Sequence, residues 1–107
     1  MNYRIRITEA AKQDLREIAV YIAEEAKDAG IAKRFVNELR EECKRLEVFP
    51  NAGALPKDRI LLSSGYRYLV YKDYLIFYTV YEMQKEVDVL AIFHAKKDYM
   101  RIMRKFI

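Results

Sequence analysis

The chain has one histidine, His94, and Lys96, Lys97 and Tyr99 follow it within a few residues, so an imidazole, two ammonium groups and a phenol lie close together along the backbone. That set suits chemistry at a phosphate. The cations can hold the anion, the imidazole can act as general base or acid near neutral pH, and the phenol can stack on or orient a nucleobase. Arg67 adds a guanidinium able to bind phosphate bidentately and to stabilise charge developing in phosphoryl transfer. Each of these groups also has a plain structural role open to it. A strand-end histidine can bond a backbone carbonyl, an arginine can pair with a carboxylate on a neighbouring strand, and a tyrosine can simply pack in a sheet.

Charge is concentrated in the same place. Residues 96–107 hold five Lys/Arg against one Asp, which equals the formal net charge of +4 for the whole chain. Arg4, Arg6, Lys96, Lys97 and Arg101 are accordingly the candidate nucleic-acid contacts, and His94, Arg67 and Tyr99 the candidate catalytic groups. Other chemistries find little support. Three glycines and no Gly-rich phosphate loop argue against the usual nucleotide-binding folds, and one Cys beside one His argues against a disulfide framework or a His/Cys metal site. No metal or cofactor is expected.

The elements that must position these groups are legible in the patterning. At 107 residues, 52% hydrophobic and 34% charged, the chain is expected to form one globular domain over its full length. Tyr3-Arg4-Ile5-Arg6-Ile7 alternates at period two, predicting a strand with both arginines on one face. Thr8 is a helix N-cap, and Ala11, Leu15, Ile18 and Ile22 trace a helix over about 9–26. Lys27-Asp-Ala-Gly30 breaks it, and Ala32, Phe35, Val36, Leu39, Cys43 and Leu46 predict a second helix that makes a hairpin with the first. Cys43 falls on its core stripe. The stretch from Phe49-Pro50 to Gly65 reads as a long surface loop. Tyr66–Tyr71, Tyr74–Tyr81 and Val87–Phe93 then predict a three-stranded antiparallel meander, and the residues after Asp98 a short C-terminal helix. The expected architecture is two-layer α+β, in the order β-α-α-β-β-β, with an antiparallel sheet, the helix hairpin on one face and the other face partly covered, since the middle strand is apolar or aromatic on both sides. No apolar run reaches the length of a membrane span and the N-terminus lacks a signal-peptide pattern, so a cytoplasmic protein is expected.

These residues resemble a known family. Phe49-Pro50 and Gly53 after the second helix, Gly65-Tyr66-Arg67-Tyr68-Leu69-Val70, Tyr74-Leu-Ile-Phe-Tyr78 and His94-Ala-Lys-Lys-Asp-Tyr99, in that order, are similar to the RelE/ParE superfamily of toxins from type II toxin–antitoxin modules. The resemblance runs over nearly the whole chain. It implies a growth-inhibiting toxin neutralised by a cognate acidic antitoxin, and within the superfamily it implies either of two targets. RelE-like members cleave mRNA on the ribosome, which would give Arg67, His94 and Tyr99 catalytic roles. ParE-like members inhibit DNA gyrase without catalysis, and a degenerate module that only binds antitoxin is a third possibility. The segment from His94 to Asp98 departs from the family's usual His-Gly-Arg-Arg-Asp in having Ala95, Lys96 and Lys97. Ala54 stands where relatives commonly have arginine.

Overall fold

A computed structural model describes residues 2–107. Strand β1 (Arg4–Ile7) alternates as its sequence requires, with Ile5 and Ile7 partly buried and both arginines exposed. Helix α1 (Glu9–Ala26) begins where the Thr8 hydroxyl accepts the Ala11 N–H, and buries Ala11, Leu15 and Ile18. It ends at Lys27, which enters the left-handed region at φ 53°. Asp28 at once caps α2 (Ala29–Lys44), accepting the Gly30 and Ile31 N–H groups. The break is therefore shorter than the expected Lys27–Gly30, and Gly30 lies inside the first turn of the second helix.

Within α2, Ala32, Leu39 and Cys43 face the core. Burial pushes the Cys43 thiol up to about 12, so the sulfur serves as a small packing group and not as a nucleophile. The stretch expected to be loop contains a short helix, α3 (Arg59–Ser63), whose N-cap Asp58 accepts the Ile60 and Leu61 N–H groups and whose Leu61 is fully buried. The polar run Lys57-Asp58-Arg59 is thus a helix start.

Strands β2 (Tyr66–Tyr71), β3 (Tyr74–Tyr81) and β4 (Glu86–His94) form the expected antiparallel meander. The sheet as a whole, however, is mixed and not antiparallel: its order is β1-β4-β3-β2, and β1 runs parallel to β4. The two intervening helices return the chain to the end of the sheet from which it set out, and β1 takes the free edge of β4. Arg4 there faces Glu86 and Arg6 faces Asp88 in register, each pair closing an ion pair, at 2.8 and 2.6 Å. A four-residue alternation carries no record of strand direction.

One irregularity matters for the site. Phe77 pairs with Ala91 but Tyr78 pairs with Val89, which leaves Leu90 as the extra residue of a β-bulge in β4. Val87, Val89 and Ile92 consequently all belong to the core under the helix hairpin, together with Leu15, Leu39, Leu46, Tyr74, Ile76 and Tyr78. The opposite face, expected to be partly covered, carries an aromatic cluster of its own. Tyr66, Phe77, Ala91 and Phe93 are covered there by Leu61 of α3 and by Met103 of the C-terminal helix α4 (Tyr99–Met103). The Tyr66 hydroxyl donates to the Phe106 carbonyl at 2.7 Å and moors the end of that segment. Among the described residues no helix is long and apolar enough to cross a membrane.

Candidate functional site

His94 closes β4, and the bulge turns it toward the helix side. Its ring meets that of Tyr74 edge-on at 5.3 Å, and its Nδ1 accepts the Lys96 N–H at 3.1 Å. It lines a cleft of about 590 Å³ between α1 and the C-terminal segment, where Asp14, Glu17 and Tyr21 stand on one wall and Lys97 and Lys105 on the other. Asp14 does two things at once. Its carboxylate accepts the Ile92 N–H at 2.9 Å, on the part of β4 that extends beyond the end of β1. Burial raises its pKa above the usual carboxylate value, against the lowering effects of that hydrogen bond and of Lys105 and Lys97.

Because the folded chain holds the Asp14 proton more tightly than the unfolded chain, this group's contribution to stability is largest at acid pH. It falls as pH rises from the ordinary aspartate range through the raised folded value. Asp14→Asn keeps a side-chain carbonyl for Ile92 and removes the desolvated charge, so it should leave the midpoint of urea unfolding at neutral pH unchanged or raised and flatten this part of the pH dependence. Asp14→Ala leaves the amide without its partner, and the same titration should show a loss of about 1–2 kcal/mol.

Its place in β2 leaves Arg67 free to point to the sheet face away from the helix hairpin, but the structure turns it to the helix side. In register it faces Tyr78, a member of the helix-side core, while Tyr66 and Tyr68 on either side of it pack toward α3 and the C-terminal segment. Its Nη1 donates to the carbonyl of Gly53 at 3.0 Å and reaches that of Asn51 at 3.5 Å. Tyr78 holds the same loop from below. Its hydroxyl donates to the Pro50 carbonyl and accepts the Gly53 N–H, both at 2.8 Å. Burial raises the Tyr78 pKa, which keeps the phenol protonated for this role. Arg67 and Tyr78 together fasten residues 50–53 onto the sheet.

Tyr99 lies on the opposite face. It stacks over Phe77 at 6.3 Å, and Phe77 stacks in turn on Phe93 at 5.5 Å. Its ring is part of the packing that seats α4, whose N-cap Asp98 accepts the Arg101 N–H. Arg4 and Arg6 lie on β1 and are engaged with Glu86 and Asp88. The hydrogen bond and charge of Asp88 raise the Arg6 pKa further. Lys96, Lys97 and Arg101 are exposed and make no ion pair among the described residues.

The candidate catalytic groups therefore do not converge. His94 belongs to the cleft beside α1, Arg67 is committed to loop carbonyls, and Tyr99 is stacked on the far face. The lysines near His94 form a surface able to attract an anion, and no single point on it is within reach of all three groups. Among the described residues no group of three or more His, Cys, Asp or Glu side chains is arranged to hold a metal ion. Sequence reasoning missed Asp14, which sits inside a regular helical stripe and looks like any solvated helix carboxylate. It also missed Tyr78, whose hydroxyl partner is a loop that no periodicity predicts. The Pro50–Gly53 punctuation was visible, but only as a turn.

Comparison with known proteins places this geometry. No curated protein matches the chain. Among solved structures, a chain of the chromosomal ParDE toxin–antitoxin system from P. aeruginosa superposes with a TM-score of 0.72 at 22% identity, covering 88% of this chain and 97% of that one. A chain of the RelBE2 toxin–antitoxin complex from Mycobacterium tuberculosis gives 0.67 at 20% identity, covering 88% and 99%. The isolated E. coli RelE toxin gives 0.51 at 14% identity, covering 98% and 99%. At such identities these likenesses show a common fold. The family model for the ParE toxin of type II toxin–antitoxin systems matches residues 5–99, nearly the whole chain, and the chain belongs to that family.

Proposed function

We propose that this toxin arrests growth by binding a protein target, DNA gyrase, without cutting RNA, and that it is held inactive by a cognate acidic antitoxin. The observation that carries the reading is the dispersal of Arg67, His94 and Tyr99. A ribonuclease needs groups that meet at one phosphodiester, whereas here each candidate is occupied with a structural partner on a different part of the sheet. The match to the ParE model and the toxin–antitoxin origin of two of the structural neighbours support the target class and the antitoxin.

The test is expression without antitoxin. Purified toxin should inhibit gyrase supercoiling, and arrested cells should keep intact transcripts. His94→Ala and Tyr99→Phe should arrest growth as the parent does, because a ribonuclease relying on that imidazole as acid or base would lose on the order of a hundredfold or more. New transcript 5′ ends that disappear with His94→Ala would overturn the proposal in favour of mRNA cleavage.

A further inference from the structure

Among the described residues three tyrosines are buried, and two of them have a use for the hydroxyl. Tyr66 donates to the Phe106 carbonyl and Tyr78 to that of Pro50. Tyr74 is 8% exposed and its ring packs beside Phe35 and His94, but its hydroxyl has no partner among the described residues. A hydroxyl so far inside a fold is ordinarily paired. Burial raises the Tyr74 pKa, so the group is a phenol with a proton to donate. It lines the cleft of about 590 Å³ described above, a volume within the range of small-molecule sites. His94 supplies a second donor there. Its Nδ1 already accepts the Lys96 N–H, so the neutral ring carries its proton on Nε2, which no described residue accepts.

The walls of the cleft sort a ligand by charge. On α1, Asp14, Glu17 and Tyr21 fall on one helical face, and the Tyr21 ring is 58% exposed. Asp14 uses one oxygen on Ile92 and leaves the other, with both oxygens of Glu17, as acceptors. Lys97 and Lys105 face them, close enough to oppose the rise that burial causes in the Asp14 pKa. A continuous nucleic-acid backbone would set phosphates against the carboxylates as well as the lysines, and be repelled on one side. A mononucleotide keeps its phosphates at one end. Its base can lie on the Tyr21 ring with the hydrogen-bonding edge turned to the acidic wall. That edge must then be a row of donors. Guanine alone among the four RNA bases offers adjacent N–H donors on that edge, whereas adenine and cytosine set an acceptor ring nitrogen beside the amino group and uracil flanks its one N–H with carbonyls.

We propose that this cleft binds a guanine nucleotide, with the base on the α1 wall, the phosphates on Lys97 and Lys105, and the Tyr74 and His94 protons on sugar or phosphate oxygens between them. Such a site is independent of the toxin's target and of its antitoxin. Calorimetric titration of the full chain with GTP, ATP and inorganic tripolyphosphate tests it. GTP should bind roughly tenfold more tightly than ATP, and more tightly than tripolyphosphate. Lys97→Ala combined with Lys105→Ala should weaken GTP and ATP alike, by roughly tenfold. Glu17→Gln should erase the preference for GTP, because the amide sets a donor against guanine's donors. Tyr74→Phe removes a hydroxyl that is unpaired in the free chain, so thermal unfolding should stay in place while GTP binds several-fold more weakly. Equal binding of GTP, ATP and tripolyphosphate overturns the proposal and reduces the cleft to a patch of positive charge. Failure of GTP to bind at millimolar concentration also overturns it, as does GTP binding that the lysine and Glu17 variants leave unchanged. A Tyr74→Phe chain that is less stable but binds GTP as the parent does would assign the hydroxyl to the fold and overturn its place in the site.

Discussion

Phe77→Ala should be the most damaging single substitution in the domain, lowering unfolding free energy by about 3–5 kcal/mol. Phe77 is 1% exposed at the centre of β3, with Phe93 stacked on it at 5.5 Å, Tyr68 at 5.4 Å and Tyr99 at 6.3 Å. Removing the ring leaves a cavity that these neighbours cannot close, because each is fixed by its own strand or helix. It also removes the floor on which Tyr99 rests, so the C-terminal segment should loosen before the rest unfolds. Denaturant titration reads the first effect. Hydrogen exchange of residues 99–106 reads the second, and rapid exchange there under native conditions is the expected signature. A variant that unfolds in one step with the C-terminal amides still protected would show that the Tyr66–Phe106 hydrogen bond, and not the aromatic stack, holds the segment.

Gly53→Ala is expected to cost about 2–3 kcal/mol for the addition of one methyl group. A Cβ at this position would lie 2.6 Å from the Tyr78 hydroxyl, and 2.8 Å from both Tyr78 Cε1 and the Tyr68 carbonyl oxygen. Glycine is required for this close approach, because residue 53 lies against a buried ring and a strand backbone that cannot retreat. For a domain of this size the thermal midpoint should fall by roughly 10 °C. Adding Tyr78→Phe should not rescue the variant. It relieves the contact with the hydroxyl but leaves the ring carbon and the backbone oxygen in place, and it strips the loop of two hydrogen bonds. Recovery of the midpoint in the double variant would mean that the loop yields more easily than its anchors suggest.

Much of this fold was legible from short-range pattern. Helical stripes placed α1 and α2, runs of β-forming residues placed β2, β3 and β4, and the Thr8 cap marked the start of α1. Features fixed by long-range pairing were not. The parallel placement of β1 depends on which edge of the meander is free, and α3 was hidden because Asp58, its cap, stood within a charged run that reads as loop. The candidate site divided in the same way. His94 and its lysines were found by composition, but the face that Arg67 takes was not, because nothing near it in sequence reveals the loop carbonyls it holds. Asp14 lies 78 residues from Ile92, and its role exists only once β4 outruns β1.

The one-residue offset at Leu90 means that β4 is read in two frames. Counted from Val87 and Val89 by strict alternation, His94 would share a face with Tyr99. With the offset, Phe93 joins the aromatic stack, Ile92 joins the aliphatic layer under the helices, and His94 is carried to the side of Ile92. The sorting is done by the two large apolar side chains. Where the chain's one imidazole ends up is thus inherited from its neighbours' fit, and the histidine travels as a passenger of the hydrophobic layers.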